Sequence, residues 1–190
     1  TSNALNEGEK TSLNFFISTQ KEEGKSYVIS QLANKMVMLG YKVLFVNYSD
    51  SEENIEGDFE KIKYKLTNQF YRINSLDELL PDGGTIRQEV YDFIFVEIPN
   101  IINHAFPVKL LQKADHIYLV CRANRPWSEA DQNNLATFRE ITNNLEPIVL
   151  LNGVEVIEME TFLGDLPRKR SFLRKIIKNM IRLRFFSKNK

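Results

Sequence analysis

The chain has 190 residues, 43% hydrophobic and 26% charged, with 8 Gly and 6 Pro, a composition that fits one ordinary globular domain with a proper core and excludes disorder as the default. It has no run of 18 or more apolar residues and no charged-then-apolar opening segment, so no bilayer span or export signal is expected and a cytoplasmic setting is. The formal net charge is zero, but ten of the 25 Lys and Arg fall in residues 168–190, which hold no Asp or Glu; residues 1–167 therefore carry a net charge of −10.

Residues 1–11 are polar and without periodicity and read as a tag remnant or linker. Leu13–Ser18 is a first strand by its apolar run. Ser26–Leu39 follows with Val28, Ile29, Leu32, Ala33, Met36 and Met38 near helical spacing, and Gly40 stops that helix. Val43–Val46 is a continuous apolar run of strand length, which predicts cover on both faces, and the acidic loop Asn47–Glu53 comes after it. Phe70–Ile73 is a candidate strand, Leu76–Leu80 a helical turn and Pro81–Gly84 a break. Phe93–Val96, Ile117–Cys121 and Pro147–Leu151 are three more buried strands, separated by helical stretches near Val108–Lys113 and Ser128–Thr142. Strands alternating with helices predict an α/β fold with a mainly parallel sheet and helices on both faces. The single cysteine, Cys121, falls in a buried strand, which excludes disulfides and a cysteine metal site; His104 and His116 lack ligand-like spacing and read as structural.

Between the first strand and the first helix stands Ser18-Thr-Gln-Lys-Glu-Glu-Gly-Lys-Ser26. A phosphate-binding loop needs a strand, backbone N–H groups curled around an anion, and a helix N-terminus that adds partial positive charge. Gln20, Lys21, Glu22, Glu23 and Gly24 would supply the curl, Lys25 would neutralise the β- and γ-phosphates, and the Ser26 hydroxyl would take a Mg²⁺ position. Against the full pattern G-x-x-x-x-G-K-[ST] the first glycine is Thr19. The competing reading is a solvated turn with Ser26 opening a helix.

Glu-Gly-Lys-Ser26, Gly40-Tyr-Lys-Val-Leu-Phe-Val46, Tyr91-Asp-Phe-Ile-Phe-Val-Glu-Ile-Pro99, Ala114-Asp-His-Ile-Tyr-Leu-Val-Cys-Arg122 and Val149-Leu-Leu-Asn-Gly-Val154 occur in that order. Together they resemble the cytoplasmic P-loop domain of bacterial tyrosine kinases of exopolysaccharide and capsule chain-length control, and more distantly the partition-type P-loop ATPases, over about residues 12–155. The resemblance implies a P-loop NTPase-like domain over residues 12–165 and a basic amphipathic tail over residues 166–190. It implies ATP or ADP with Mg²⁺ as cofactor, an adenine contact from Asn152, and a position at the inner face of the bacterial cell membrane. A membrane-spanning polysaccharide co-polymerase segment, fused or separate, would be the partner, and the domain would be capable of forming homo-oligomers.

The sequence departs from that family at the carboxylates that serve Mg²⁺ and the attacking phenol. The hydrophobic-Asp-x-Asp-x-Arg motif after the second strand is replaced by Asn47, Ser49 and Ser51, leaving Asp50 as a stand-in if a one-residue bulge delivers it. The Asp that ends the family's next strand is Glu97, one methylene longer, a candidate catalytic and metal-binding carboxylate together with Ser26 as the second metal ligand. No tyrosine follows Tyr118, so the C-terminal tyrosine cluster of these kinases is missing, and Tyr64, Tyr71 and Tyr91 read as core or surface residues. A positioned general base is worth about 10²–10⁴-fold in rate, whereas phosphate binding by backbone amides and Lys25 does not depend on one.

In the tail Arg168–Lys190, Leu173, Ile176, Ile177, Met180, Ile181 and Leu183 share roughly one helical side and the basic residues take the rest. Such a helix suits an anionic membrane surface or acidic partner, or packs on its own domain; the acidic body disfavours nucleic acid. Arg125 and Trp127 follow a strand at the ligand-binding end of the sheet and are either ordinary loop residues or contacts for nucleotide or partner. The function expected is a nucleotide-binding module of exopolysaccharide biosynthesis or export, tyrosine-kinase-like but weakened in catalysis and acting through partners. The alternatives are a working Mg-ATP-dependent tyrosine kinase or ATPase that uses Asp50 and Glu97, and a partition-type ATPase.

Overall fold

The computed structural model describes residues 10–48, 56–80 and 83–154. The chain divides into a unit Thr1–Asn152 and a second unit Gly153–Lys190, of which only Gly153 and Val154 are described. The tail Arg168–Lys190, the 165/166 boundary and Asp50 therefore lie outside the described residues.

Among the described residues six strands form one sheet: β1 (Ser12–Ile17), β2 (Val43–Tyr48), β3 (Glu60–Tyr64), β4 (Phe93–Glu97), β5 (His116–Arg122) and β6 (Ile148–Asn152). Their order is β3-β2-β4-β1-β5-β6 and every pairing is parallel. Among the described residues three α-helices connect them, α1 (Lys25–Met38), α2 (Val108–Leu111) and α3 (Glu129–Ile141). Side-chain alternation along the strands builds two cores. Leu13, Phe15, Ile17, Leu44, Val46, Ile94, Val96, Ile117 and Leu119 pack with Leu110 and Leu111 of α2 and Phe138 of α3 on one face. Phe16, Val43, Phe45, Phe95 and Val120 pack against Ile29 and Ala33 of α1 on the other. Each fully buried Phe, Leu or Ile adds about 1.5–3 kcal/mol, which is why the central strands read as unbroken apolar runs.

Gly40 ends α1 as expected: it takes φ +94°, its N–H donates to the Val37 carbonyl (2.9 Å), and Tyr41 N–H donates to Met36 (3.1 Å), the left-handed Schellman closure that glycine adopts without Cβ strain. Three expectations change. Pro147–Leu151 supplies β6, but as an edge strand of the sheet it is not buried: Ile148, Val149 and Leu151 are 49%, 55% and 62% exposed. Phe70–Ile73 is not a strand but contains a single 3₁₀ turn, Phe70–Arg72. One turn suffices to bury Phe70 in a stack on Tyr64 (ring centroids 5.8 Å apart) and to bury Ile73, while Tyr71 and Arg72 remain outside. The other edge strand is instead Glu60–Tyr64, whose Glu-Lys-Ile-Lys pattern keeps charges along an open edge and so lacks the apolar run of its neighbours.

Cys121 is buried, and that burial, followed by the Glu23 carboxylate, pushes its thiol up to about 11. At pH 8 the native protein is accordingly expected to react with a thiol reagent at least about tenfold slower than the same protein in denaturant. Equal rates would show that the strand opens freely.

Candidate functional site

The connection from β1 through α1 to β2 leaves toward one edge of the sheet, and that from β4 through α2 to β5 toward the other. The loop after β1 therefore occupies the topological switch point at the carboxyl end of the sheet, the place where open α/β sheets bind ligands. Three backbone bonds tie this region to the segment after β4: Ile98, Ile101 and Ile102 N–H donate to the carbonyls of Phe16, Ser18 and Thr19.

The loop curls through two left-handed residues, Glu22 (φ +60°) and Gly24 (φ +81°), before α1 begins at Lys25. Lys25 is 8% exposed and its Nζ donates to Ser18 Oγ at 2.7 Å, while Ser18 Oγ–H donates to the Gln20 carbonyl at 2.7 Å. Burial lowers the Lys25 pKa from its ordinary value, and the Glu97 and Glu23 charges act in the opposite direction. Ser26 Oγ donates to both oxygens of Glu97, at 3.0 and 2.9 Å. The backbone of Glu97 is fixed in turn by Tyr64, whose buried hydroxyl donates to the Glu97 carbonyl at 2.6 Å. Tyr64 is thus a structural residue and out of reach of a modifying enzyme.

Asn47 ends the same face of β2 that Glu97 ends on β4: the register Val46↔Val96 sets the two side by side on the α1 side of the sheet. Asn47 Oδ1 and Asn100 Nδ2 are both buried and have no hydrogen-bond partner among the described residues. A buried amide without partners costs about 1–3 kcal/mol, so a polar occupant is expected next to it. Mg²⁺ fits this arrangement. It is bound through one or two carboxylates with waters and substrate phosphates completing its shell, and Glu97, with the Ser26 hydroxyl and the Asn47 oxygen as further oxygen donors, answers to that description. No cluster of three or more His, Cys, Asp or Glu that could hold a metal unaided exists among the described residues.

Two residues of the predicted set also brace the loop with their side chains. Glu23 is 1% exposed, and its carboxylate accepts from Arg122 N–H at 2.5 Å and from Arg125 Nε at 2.6 Å, so its side chain does not face a ligand. Asn152 Nδ2 donates to the Glu23 carbonyl at 3.0 Å, so one of its two N–H groups ties this amide to the loop. Lys21 and Glu22 are exposed and Gln20 reaches back to Asp131. Asp131 and Ser18 are residues that sequence reasoning did not single out. The Ser128-x-x-Asp131 spacing is a legible capping box at the start of α3, but a partnership with a loop more than a hundred residues earlier leaves no local signal.

A Cβ on Gly24 would lie 2.2 Å from Asn152 Nδ2, at a backbone angle that L side chains avoid. Gly24→Ala is therefore expected to cost about 2–3 kcal/mol, from left-handed strain and displacement of Asn152. Chemical denaturation reads the change, and a loss below about 0.5 kcal/mol would mean the loop has another conformation.

No family model and no curated protein matches the chain. Solved structures do. The kinase domain of Escherichia coli tyrosine kinase ETK superposes with a TM-score of 0.59 at 16% identity, over 77% of this chain and 69% of that one. A ParA family ATPase from Chlorobium tepidum TLS superposes with a TM-score of 0.51 at 16% identity, over 81% of each chain. Both are P-loop NTPases, and the chain has their fold. No helix among the described residues is long and apolar enough to cross a membrane.

Proposed function

We propose that this protein binds ATP and ADP with Mg²⁺ at the loop 18–26 and works as a nucleotide-responsive module rather than as an efficient kinase. The observation that carries the reading is the conjunction of a left-handed loop at the switch point, a buried Lys25 ammonium, and a Ser26–Glu97 pair at the first turn of α1. Loop amides and Lys25 would take the phosphates, and Ser26 and Glu97 the cation, whose contribution is to neutralise phosphate charge. The catalytic side is thin. Asn47 stands where the tyrosine-kinase resemblance has a carboxylate, and an amide cannot accept the proton of an attacking hydroxyl. Asp50 lies outside the described residues.

The same resemblance motivates the cellular role: a part in exopolysaccharide or capsule biosynthesis at the inner face of the cell membrane, beside a membrane-spanning co-polymerase segment. The basic tail Arg168–Lys190 is offered as the contact with anionic lipid, and self-association is the corresponding assembly. Glu97 favours a second reading, a slow ATPase or tyrosine kinase, because a buried carboxylate beside Ser26 is a usable metal ligand.

Calorimetry of ATP and ADP with and without Mg²⁺, with phosphate release and tyrosine phosphorylation followed in the same samples, separates these. Micromolar, Mg²⁺-dependent binding with negligible turnover is the expected result. Turnover of ~1 s⁻¹ or faster, in the range of ordinary enzymes, would replace the proposal by the kinase or ATPase reading. No binding would refute both.

A further inference from the structure

Arg125 sits in the loop between β5 and α3, yet its guanidinium reaches three other parts of the site. Its Nε donates to Glu23 Oε1 at 2.6 Å, its Nη1 and Nη2 donate to Asp131 at 2.7 and 3.0 Å, and Nη2 reaches Thr19 Oγ1 at 3.4 Å. Both carboxylates are out of water, Glu23 at 1% and Asp131 at 0% side-chain exposure, and the Arg125 side chain is itself only 22% exposed. Gln20 Nε2 adds a further bond from the loop to Asp131, at 3.2 Å. The loop is thus joined to the first turn of α3 at Thr19 and Glu23 through one planar cation, and at Gln20 directly.

The geometry points to Arg125 as the positioning residue of the phosphate loop, clamping Glu23 and Thr19 to Asp131 so that residues 19–25 hold their curl before any anion arrives. A clamp of this kind is needed here because the loop lacks the first glycine of the full motif and turns through a non-glycine left-handed residue, Glu22. A guanidinium can serve because its fork donates in several fixed directions at once, whereas an ammonium is a single point. This rests on the nucleotide-binding reading for its consequence, tighter phosphate binding by a loop already ordered, but the clamp itself is tested without nucleotide.

The test is hydrogen exchange of the backbone amides 19–26 in the full chain, with ADP affinity measured alongside, for the unchanged protein and for Arg125→Ala. Exchange of those amides is expected to rise about tenfold in the variant while β1 and β4 stay protected, and ADP to bind about tenfold more weakly. If Arg125→Ala fails to fold, Arg125→Lys gives the same comparison, because one ammonium cannot span Glu23 and Asp131; an increase of about threefold in both readouts is then expected. Unchanged loop exchange overturns the clamp whatever happens to affinity. So does ADP affinity within about twofold of the unchanged protein, where that protein binds. Raised loop exchange with no ADP binding in either protein upholds the clamp and refutes the nucleotide reading.

Discussion

Lys25→Ala is expected to weaken ADP and ATP binding about 100-fold, or ~2.7 kcal/mol. The side chain is almost wholly buried, and Ser18 Oγ fixes its ammonium at the start of α1, so its charge acts where water screens it poorly. Removing it also leaves the Glu97 carboxylate beside the incoming phosphates without the Lys25 cation. Because burial already lowers its pKa, Lys25 of the free protein loses its proton earlier than an ordinary lysine as pH rises. Bound phosphate favours the charged form, so affinity falls at alkaline pH and binding there takes up protons. Calorimetry in buffers of different ionisation enthalpy reads both effects. Binding by Lys25→Ala within about threefold of the unchanged protein would remove the loop from any phosphate-binding role.

The second large effect belongs to Asp131. Its fully buried carboxylate accepts from Arg125, from Ser128 N–H at 2.8 Å, from Ser128 Oγ at 2.6 Å and from Gln20. Asp131→Ala removes the capping box of α3 and one of the two carboxylates that hold Arg125, and is expected to destabilise the fold by about 3 kcal/mol. Burial of Asp131 opposes ionisation, but the hydrogen bonds from Arg125, Ser128 and Thr19 outweigh it and hold the carboxyl well below the usual range. A depressed carboxylate contributes its stability above the unfolded value, near pH 3.9, and loses it as pH falls further toward the folded value. Denaturation at pH 7 and below about pH 4 tests both points: the acid loss attributable to this group must be missing in Asp131→Asn. Stability of Asp131→Ala within about 0.5 kcal/mol of the unchanged protein would contradict the packing described.

The strands that form the centre of the sheet could be read from the chain because each is a short, unbroken apolar run covered on both faces, and α1 because its periodic apolar side ends at Gly40. The edge strand Glu60–Tyr64 escaped, since an edge faces water and alternates charges. Phe70–Ile73 misled because two buried apolar residues three apart serve a 3₁₀ turn as well as a strand. At the site, Gly24, Lys25 and Ser26 were legible together because the strand, the turn and the start of the helix lie within fifteen residues of one another. The bracing of that loop by the side chains of Glu23 and Asn152 was not, because their partners lie 99 to 129 positions away.

What the sequence by itself determined is the α/β alternation and the position of the loop 18–26, both properties of contiguous residues. Tertiary structure alone decided that Glu23, Arg125 and Asp131 meet, that Asn152 holds the loop's carbonyl, and that Asn47 lies beside Glu97. Apart from the pair Arg125–Asp131, six positions apart, these contacts join residues 50 to 129 positions apart through strand order and parallel register, and strand order is set by the packing of the whole sheet rather than by any local pattern.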